Sequence, residues 1–218
     1  MTPIALYDMD KTITRRATLL PWLIFWARAE APWRLTLLPL LGVATLGYAL
    51  RLLDRTQLKR IAQALLMGPG CARATVARRA AAFAAVTVAR GLWPGAVVQL
   101  AADRAEGRTL VLASASYAFY VEAIADALGI DAVLATESEW DGDTLRPRVA
   151  GTNCYGAAKA VRVAAWLAEH PHAPMRFYSD HVSDATLFER ADEAVAVCPS
   201  PALRRLARSR GWRIADWR

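Results

Sequence analysis

Ile4-Ala5-Leu6-Tyr7-Asp8-Met9-Asp10-Lys11-Thr12 is the stretch around which the rest of the chain is organised. Its apolar run ends in two acids one residue apart. That is the pattern of a buried parallel strand delivering carboxylates to the carboxyl edge of an open α/β sheet, where such sheets place their ligands. In that setting Asp8 and Asp10 share one face and repel each other, and a hard divalent cation with oxygen ligands relieves the repulsion. The same string also fits a strand end running into a polar turn, so the rest of the chain has to decide.

Downstream of this strand, residues 14–90 show no convincing strand pattern. They read as helices over roughly 17–30, 33–53, 56–67 and 71–90, broken near Pro32 and at Gly68-Pro69-Gly70. From Leu92 onward the pattern changes. Helices over 95–106, 117–128, 156–169, 183–190 and 201–210 alternate with short apolar strands over 109–113, 132–136, 175–178 and 194–197, and a hairpin sits around Asp141-Gly142-Asp143. Strands alternating with helices predict an α/β fold with a doubly wound parallel sheet. The expected division is a core of residues 1–13 and 92–218 with an all-helical insertion, residues 14–91.

Composition narrows the class. The chain has 218 residues, 55% apolar and 22% charged, which excludes intrinsic disorder and allows one sizeable core. Cys71, Cys154 and Cys198 are widely spaced and form no Cys-x-x-Cys pair, so neither a disulfide framework nor a zinc site is expected, and a reducing cytosol fits best. No secretory leader is visible at the start of this sequence. Residues 14–90 carry twelve basic and two acidic side chains, a surplus of ten, so the remainder of a chain of net charge +7 sums to −3. That asymmetry fits solvated helix faces or an anionic partner. A nucleic-acid partner is not expected, because no recognised motif or aromatic platform accompanies the charge.

Three further sites stand where a strand-edge centre would use them. Ser114 follows the strand 109–113, and with Ala115, Ser116 and Tyr117 opening a helix it reads as a phosphate site or an ordinary helix cap. Lys159, near the start of an apolar helix, taken alone reads as an exposed lysine. In Tyr178-Ser179-Asp180-His181-Val182-Ser183-Asp184 a second strand again ends in an acid, followed four residues later by Asp184. His181 fits a loop side chain better than a ligand, since its neighbours are hard oxygens.

Taken in order, Asp8-x-Asp10-x-Thr12, Ser114, Lys159 and Asp180-x-x-x-Asp184 resemble the four motifs of the haloacid dehalogenase (HAD) superfamily. The likeness covers essentially the whole chain and is nearest to subfamily IB, the phosphoserine-phosphatase-like branch. The resemblance implies a Rossmann-like core with a helical cap between the first two motifs, and Mg²⁺-dependent hydrolysis of a phosphomonoester through an aspartyl phosphate. By the same resemblance Asp8 is the nucleophile and Asp10 the acid and base. Thr12, Ser114 and Lys159 hold phosphate. Asp8, Asp180 and the backbone carbonyl of Asp10 ligate the metal, with Asp184 behind them. The chain departs from the family's frequent glycines at Lys11, at Ala115-Ser116 and at Ser179. Phosphoserine phosphatases also place a glutamate nine residues after the nucleophile, where this chain has Ala17.

The insertion is unusually apolar. Leu19-Leu20-Pro21-Trp22-Leu23-Ile24-Phe25-Trp26 is followed by residues 35–53, whose only charge is Arg51, a borderline span at about 20 apolar residues per bilayer crossing. A single crossing would put Asp8 and Asp180 on opposite sides of the membrane. Two readings stay open: a hairpin seated in one leaflet at the inner membrane face with Trp22, Trp26 and Leu41 in contact with lipid, or a helical layer packed on itself or in a homodimer. The apolar and basic insertion also resembles phosphatidylglycerophosphatase C-type members of the branch. The expected substrate is a small phosphorylated metabolite, with a lipid phosphate as the alternative. Third comes a non-catalytic module that binds a membrane or nucleic acid.

Overall fold

A computed structural model describes residues 2–170 and 174–218. The chain runs through β1 (Ile4–Tyr7), α1 (Leu19–Glu30), a 3-10 segment (Pro32–Leu37), α2 (Leu38–Ala49), α3 (Arg55–Leu66), β2 (Cys71–Ala72) and α4 (Arg73–Arg90). It continues with α5 (Pro94–Ala105), β3 (Thr109–Tyr117), α6 (Ala118–Leu128), β4 (Ala132–Thr136), β5 (Ser138–Asp141), β6 (Thr144–Val149) and α7 (Ala157–Glu169). The last elements are β7 (Met175–Ser179), a 3-10 turn (Val182–Asp184), α8 (Ala185–Arg190), β8 (Glu193–Val197), α9 (Pro201–Arg210) and β9 (Arg213–Ala215).

Six strands form one sheet in the order β4-β3-β1-β7-β8-β9, and every pairing in it is parallel. β1 is buried on both faces. Side chains alternate along a strand, so Ile4 and Leu6 enter one apolar cluster with Phe177, Leu187 and Leu203, while Ala5 and Tyr7 enter the other with Trp22, Phe83 and Leu112. The chain leaves β1 for β3 on one side and returns to β7 on the other. This is the point of an open α/β sheet where the crossovers diverge and leave a crevice at the carboxyl ends of the strands. Asp8 and Asp10 emerge there.

The second apolar cluster runs without a break from the sheet into the helical segment. Trp22 of α1 stacks on Tyr120 of α6 at 5.2 Å and meets Phe83 of α4 edge-on at 5.5 Å. α3 starts at a reciprocal cap, in which Asp54 accepts from Gln57 N at 2.7 Å and Gln57 Oε1 accepts from Asp54 N at 2.8 Å.

Several sequence expectations need correction. Residues 71–72 are not helical but form β2, which pairs with β6 and makes a three-stranded sheet of β2, β6 and β5. The helix expected over 33–53 divides into a 3-10 segment and the twelve-residue α2, which begins with Pro39 in its first turn. Residues 114–117 continue β3 rather than opening a helix, because Tyr117 still pairs with Thr136 of β4 across a register shift. A 3-10 turn occupies 182–184, so α8 starts two residues later than expected. β9 was too short for its period to show.

The apolar insertion also differs from expectation. Trp22, Trp26 and Leu41 are buried, so they are core side chains and not a lipid-facing set. The exposed apolar residues include Trp33, Leu40, Val43, Leu46, Leu50 and Leu52, along and beside α2. No helix among the described residues is long and apolar enough to cross a membrane. Part of the basic surplus is used internally: Arg34 donates to the carbonyls of Ala64 and Leu65 at the end of α3, Arg78 and Arg79 pair with Glu30, and Arg73 pairs with Asp143.

Beneath the sheet Asp103 of α5 is fully buried and accepts from Tyr7, from Tyr178 at 2.9 Å, from Gln99 at 3.1 Å and from Arg176 at 2.6 Å. A buried carboxylate is tolerable only with such a complete set of donors. Asp103→Ala leaves both tyrosine hydroxyls without their acceptor, while Arg176 keeps Glu193 and Glu106, and the expected loss is about 2–4 kcal/mol of unfolding free energy, read from denaturant titration. A loss below about 1 kcal/mol would show the network to be dispensable.

Candidate active site

Five of the seven residues singled out in the sequence converge at the carboxyl edge of the sheet. Asp8 and Asp180 follow the adjacent strands β1 and β7, and Lys159 reaches in from the first turn of α7 with only 2% of its surface exposed. Its Nζ donates to Asp8 Oδ1 at 2.7 Å and to Asp184 Oδ2 at 2.9 Å. An exposed lysine is therefore the wrong reading of this position. Asp8, Asp10, Lys159, Asp180 and Asp184 line one cleft of about 240 Å³, together with Lys11, Ala17, Arg55 and Ala115.

Thr12 and Ser114 stand behind that cleft, both fully buried. Thr12 Oγ1 donates to Asp8 Oδ2 at 3.2 Å, and Ser114 Oγ accepts from Ser116 N at 3.1 Å. Asp10 is held separately from Asp8. Its Oδ1 accepts from the main-chain N and the hydroxyl of Thr18, both at 2.8 Å, and its Oδ2 accepts from Ser116 Oγ at 2.8 Å. Tyr120 Oη lies 3.1 Å from Thr18 Oγ1 behind them. The two carboxylates that looked alike in sequence thus have different partners: one faces an ammonium, the other a set of hydroxyls.

The positions that lack the family's frequent glycines have specific geometry. Lys11 sits at φ +65°, the left-handed region a glycine adopts freely, at a cost of about 1 kcal/mol for a residue with a side chain. Ser179 Oγ donates to Asp184 Oδ2 at 2.8 Å, so its side chain helps to aim that carboxylate.

Charge in the cleft is unbalanced. Burial pushes Asp8 above the ordinary carboxylate range, and the neighbouring Asp184 and Asp180 add to the rise against the pull of Lys159. Burial likewise pushes Asp180 up to about 6. Burial alone would lower Lys159, but the charges of Asp8 and Asp184 outweigh it and hold the ammonium well above the usual lysine range. Asp184 Oδ1 is buried with no hydrogen-bond partner. Excess buried carboxylate and an orphan carboxylate oxygen fit a hard divalent cation. Among the described residues no three His, Cys, Asp or Glu side chains converge on one metal position. Asp8 and Asp180 would therefore bind a cation as a pair, completed by main-chain and water oxygens.

Sequence reading missed Thr18, Ser116, Lys59 and Arg55. Lys59 of α3 is buried and donates to Ala115 O at 2.7 Å and Asn153 Oδ1 at 3.0 Å, and burial pushes it down to about 7. Arg55 stacks over Tyr155 at 3.8 Å. Only the hydroxyl at position 116, two residues beyond Ser114, carried a local signal.

Several curated and solved proteins are similar to this chain. A protein of Streptomyces azureus described as an inhibition of morphological differentiation protein is 35% identical over 113 residues, 51% of this chain and 41% of that protein. Other curated relatives carry phosphatase names, among them a histidinol-phosphatase and a phosphoserine phosphatase at 29% and 30% identity. The matched stretches span about half the length of these relatives, 41–54%. A crystal structure of a protein of unknown function from Bordetella pertussis Tohama I superposes over 100% of both chains with a TM-score of 0.87 and 28% identity. A phosphoserine phosphatase solved as a phospho-aspartyl intermediate analogue shares the fold, with a TM-score of 0.66 and 18% identity over 100% of this chain and 94% of that one. The model of the haloacid dehalogenase-like hydrolases matches residues 5–189, and the chain belongs to that family.

Proposed function

We propose that this chain is a Mg²⁺-dependent phosphomonoesterase working through an aspartyl phosphate on Asp8, with residues 14–91 as a helical cap on a core of residues 1–13 and 92–218. The observation that carries the reading is the separation of roles around one cleft: Asp8 beside the Lys159 ammonium, and Asp10 fixed apart from it by Thr18 and Ser116. In this reading an Asp8 oxygen attacks phosphorus and the bond to the ester oxygen breaks. Asp10 donates a proton to the departing alkoxide, then takes one from the water that hydrolyses the acyl phosphate. Lys159 stabilises charge on the phosphoryl oxygens, while Thr12, buried behind the cleft and donating to Asp8, and the buried Ser114 support it from behind rather than contacting phosphate. A bound Mg²⁺, held by Asp8, Asp180 and the Asp10 carbonyl and steadied by Asp184, supplies charge screening between nucleophile and phosphate.

The substrate is a small phosphorylated metabolite. Two relatives are named for histidinol phosphate and phosphoserine, but Ala17 borders the cleft and offers nothing to an ammonium group, which argues against phosphoserine. A second reading, a lipid phosphate met at a membrane surface, is favoured by exposed Leu40, Val43, Leu46 and Leu50 on and just after α2, followed by Arg51. A second copy covering that face would instead give a homodimer. The central test is phosphate release from a panel of phosphomonoesters. EDTA is expected to abolish it and Mg²⁺ to restore it, and undiminished hydrolysis by the chelated protein would refute the reading.

A further inference from the structure

A second cavity, of about 330 Å³, opens directly behind Asp10. It shares Asp10, Ala17, Arg55 and Ala115 with the cleft that holds Asp8 and Lys159, so the two adjoin. Its walls are Leu19, Leu20, Leu23, Leu41, Leu58 and Ala62, contributed by α1, α2 and α3. Leu23, Leu41 and Ala62 are buried and form its floor, while Leu20 is 47% exposed and Tyr48 37% exposed at its outer edge. That edge lies beside the exposed apolar residues of α2.

Besides Asp10, two charged residues stand on its lining, and both are held at the junction with the cleft. Lys59 donates to Ala115 O and Asn153 Oδ1, and Arg55 stacks on Tyr155 at the junction with the cleft. The polar groups are Asp10, Ser116, Lys59 and Arg55 on the cleft side and Thr45 and Tyr48 of α2, and the rest of the lining is leucine and alanine.

We infer that this cavity receives the alcohol part of the substrate and selects a phosphomonoester of an apolar, chain-like alcohol. The inference rests on the phosphatase reading for its orientation. The phosphoryl group lies between Asp8 and Lys159, and the ester oxygen must come within reach of the proton on Asp10. Everything attached to that oxygen then points into the leucine cavity. An alcohol carrying an ammonium or carboxylate beyond the reach of Arg55 would leave that group unpaired among apolar walls, an unfavourable burial. A hydrocarbon chain gains from each methylene removed from water. The same chemistry arises in a free amphiphilic phosphate and in a phosphate lipid held in a bilayer.

The test compares straight-chain alkyl phosphates from ethyl to octyl, each below its micelle concentration with Mg²⁺ present, by phosphate release. In parallel, the matching non-hydrolysable alkyl phosphonates are titrated by calorimetry, which needs no turnover. The expected result is a rise of up to about fourfold per methylene in kcat/KM and in phosphonate affinity, and on the order of a hundredfold in total before the cavity is full. Leu20→Glu, at an exposed edge position, is expected to lower the octyl-to-ethyl ratio at least tenfold (~10) by placing a charge at the mouth. Thr45→Trp, which narrows the same mouth, serves if the first variant does not fold. Flat dependence on chain length, or preference for an amino- or carboxy-alkyl phosphate of equal length, overturns the inference. Length-dependent phosphonate binding without hydrolysis of any ester would support the cavity's role and refute the phosphatase reading. Presenting the octyl ester in phosphatidylglycerol vesicles identifies the source: a further gain over free ester marks a bilayer lipid, and equal rates mark a free phosphate.

Discussion

Asp8→Asn lowers turnover by about four orders of magnitude or more while the protein stays folded. The amide has the carboxylate's shape but carries no lone pair basic enough to attack phosphorus, so the first bond of the proposed cycle cannot form. The local structure survives for reasons visible in the cleft. An asparagine Oδ1 can still accept from Lys159 Nζ, and the Thr12 hydroxyl can turn from donor to acceptor. Lys159 keeps Asp184 as its counter-ion. Removing Asp8 also removes one of three carboxylates crowded around a single ammonium, a charge that burial already disfavours. The thermal midpoint of the metal-free protein is therefore expected to hold or rise. Phosphate release, a melting curve and acid-quenched labelling of the protein by substrate check the three parts. A variant that still turns over within about tenfold of the parent would remove Asp8 from the role of nucleophile.

The fold was legible where its signal is local and periodic. β1 reads as a buried parallel strand because Ile4, Ala5, Leu6 and Tyr7 are all apolar and run into acids at Asp8 and Asp10, and it is buried on both faces. The course of residues 114–117 was not legible. Serine caps and apolar spacing favour a helix start there, whereas pairing of Tyr117 with Thr136 keeps the backbone extended, and no local rule sees a partner nineteen residues away. β2 is two residues long and exists only because β6 passes beside it. The apolar insertion shows the limit of composition: leucines and tryptophans announce burial but not the partner. Here Trp22 and Trp26 bury themselves within the protein, and α2, apolar all round, leaves Val43 67% exposed.

The site divides in the same way. Aspartates at strand ends can be seen in sequence because the strand itself sets their position. Lys159, Thr18 and Ser116 cannot, since each is brought in from a different element, and only the ordered set of motifs singled out the lysine. The residues standing where the family often has glycine show how side chains take over backbone tasks. Ser179 carries, in place of glycine's hydrogen, a hydroxymethyl group whose hydroxyl fixes Asp184. Lys11 keeps the left-handed turn at an energetic cost and places its charge near Asp180, whose carboxylate it favours.

Asp10→Asn is expected to slow the reaction by an amount that depends on the leaving group. A general acid lowers the barrier in proportion to how much the departing oxygen needs a proton, a contribution of about 10²–10⁴. An alkyl phosphate expels a strongly basic alkoxide and should lose close to the full factor. An aryl phosphate with an acidic phenol expels an anion stable enough to leave unaided, so formation of the acyl phosphate should be nearly unaffected. Its hydrolysis still needs Asp10 as base, so the variant is expected to give a burst of phenol followed by slow turnover. The substitution is close to neutral for structure, because the asparagine Oδ1 keeps both bonds from Thr18, while the amide nitrogen turns toward Ser116, whose hydroxyl can accept. Thr18→Val separates orientation from proton transfer. It removes the hydroxyl bond to Oδ1 but leaves the main-chain one, and a loss of about tenfold for the alkyl ester, with a smaller loss in acyl-phosphate formation from the aryl ester, would mark Thr18 as a positioning residue acting through Asp10. Equal losses for both esters in Asp10→Asn itself, with no burst, would assign the proton transfer to another group.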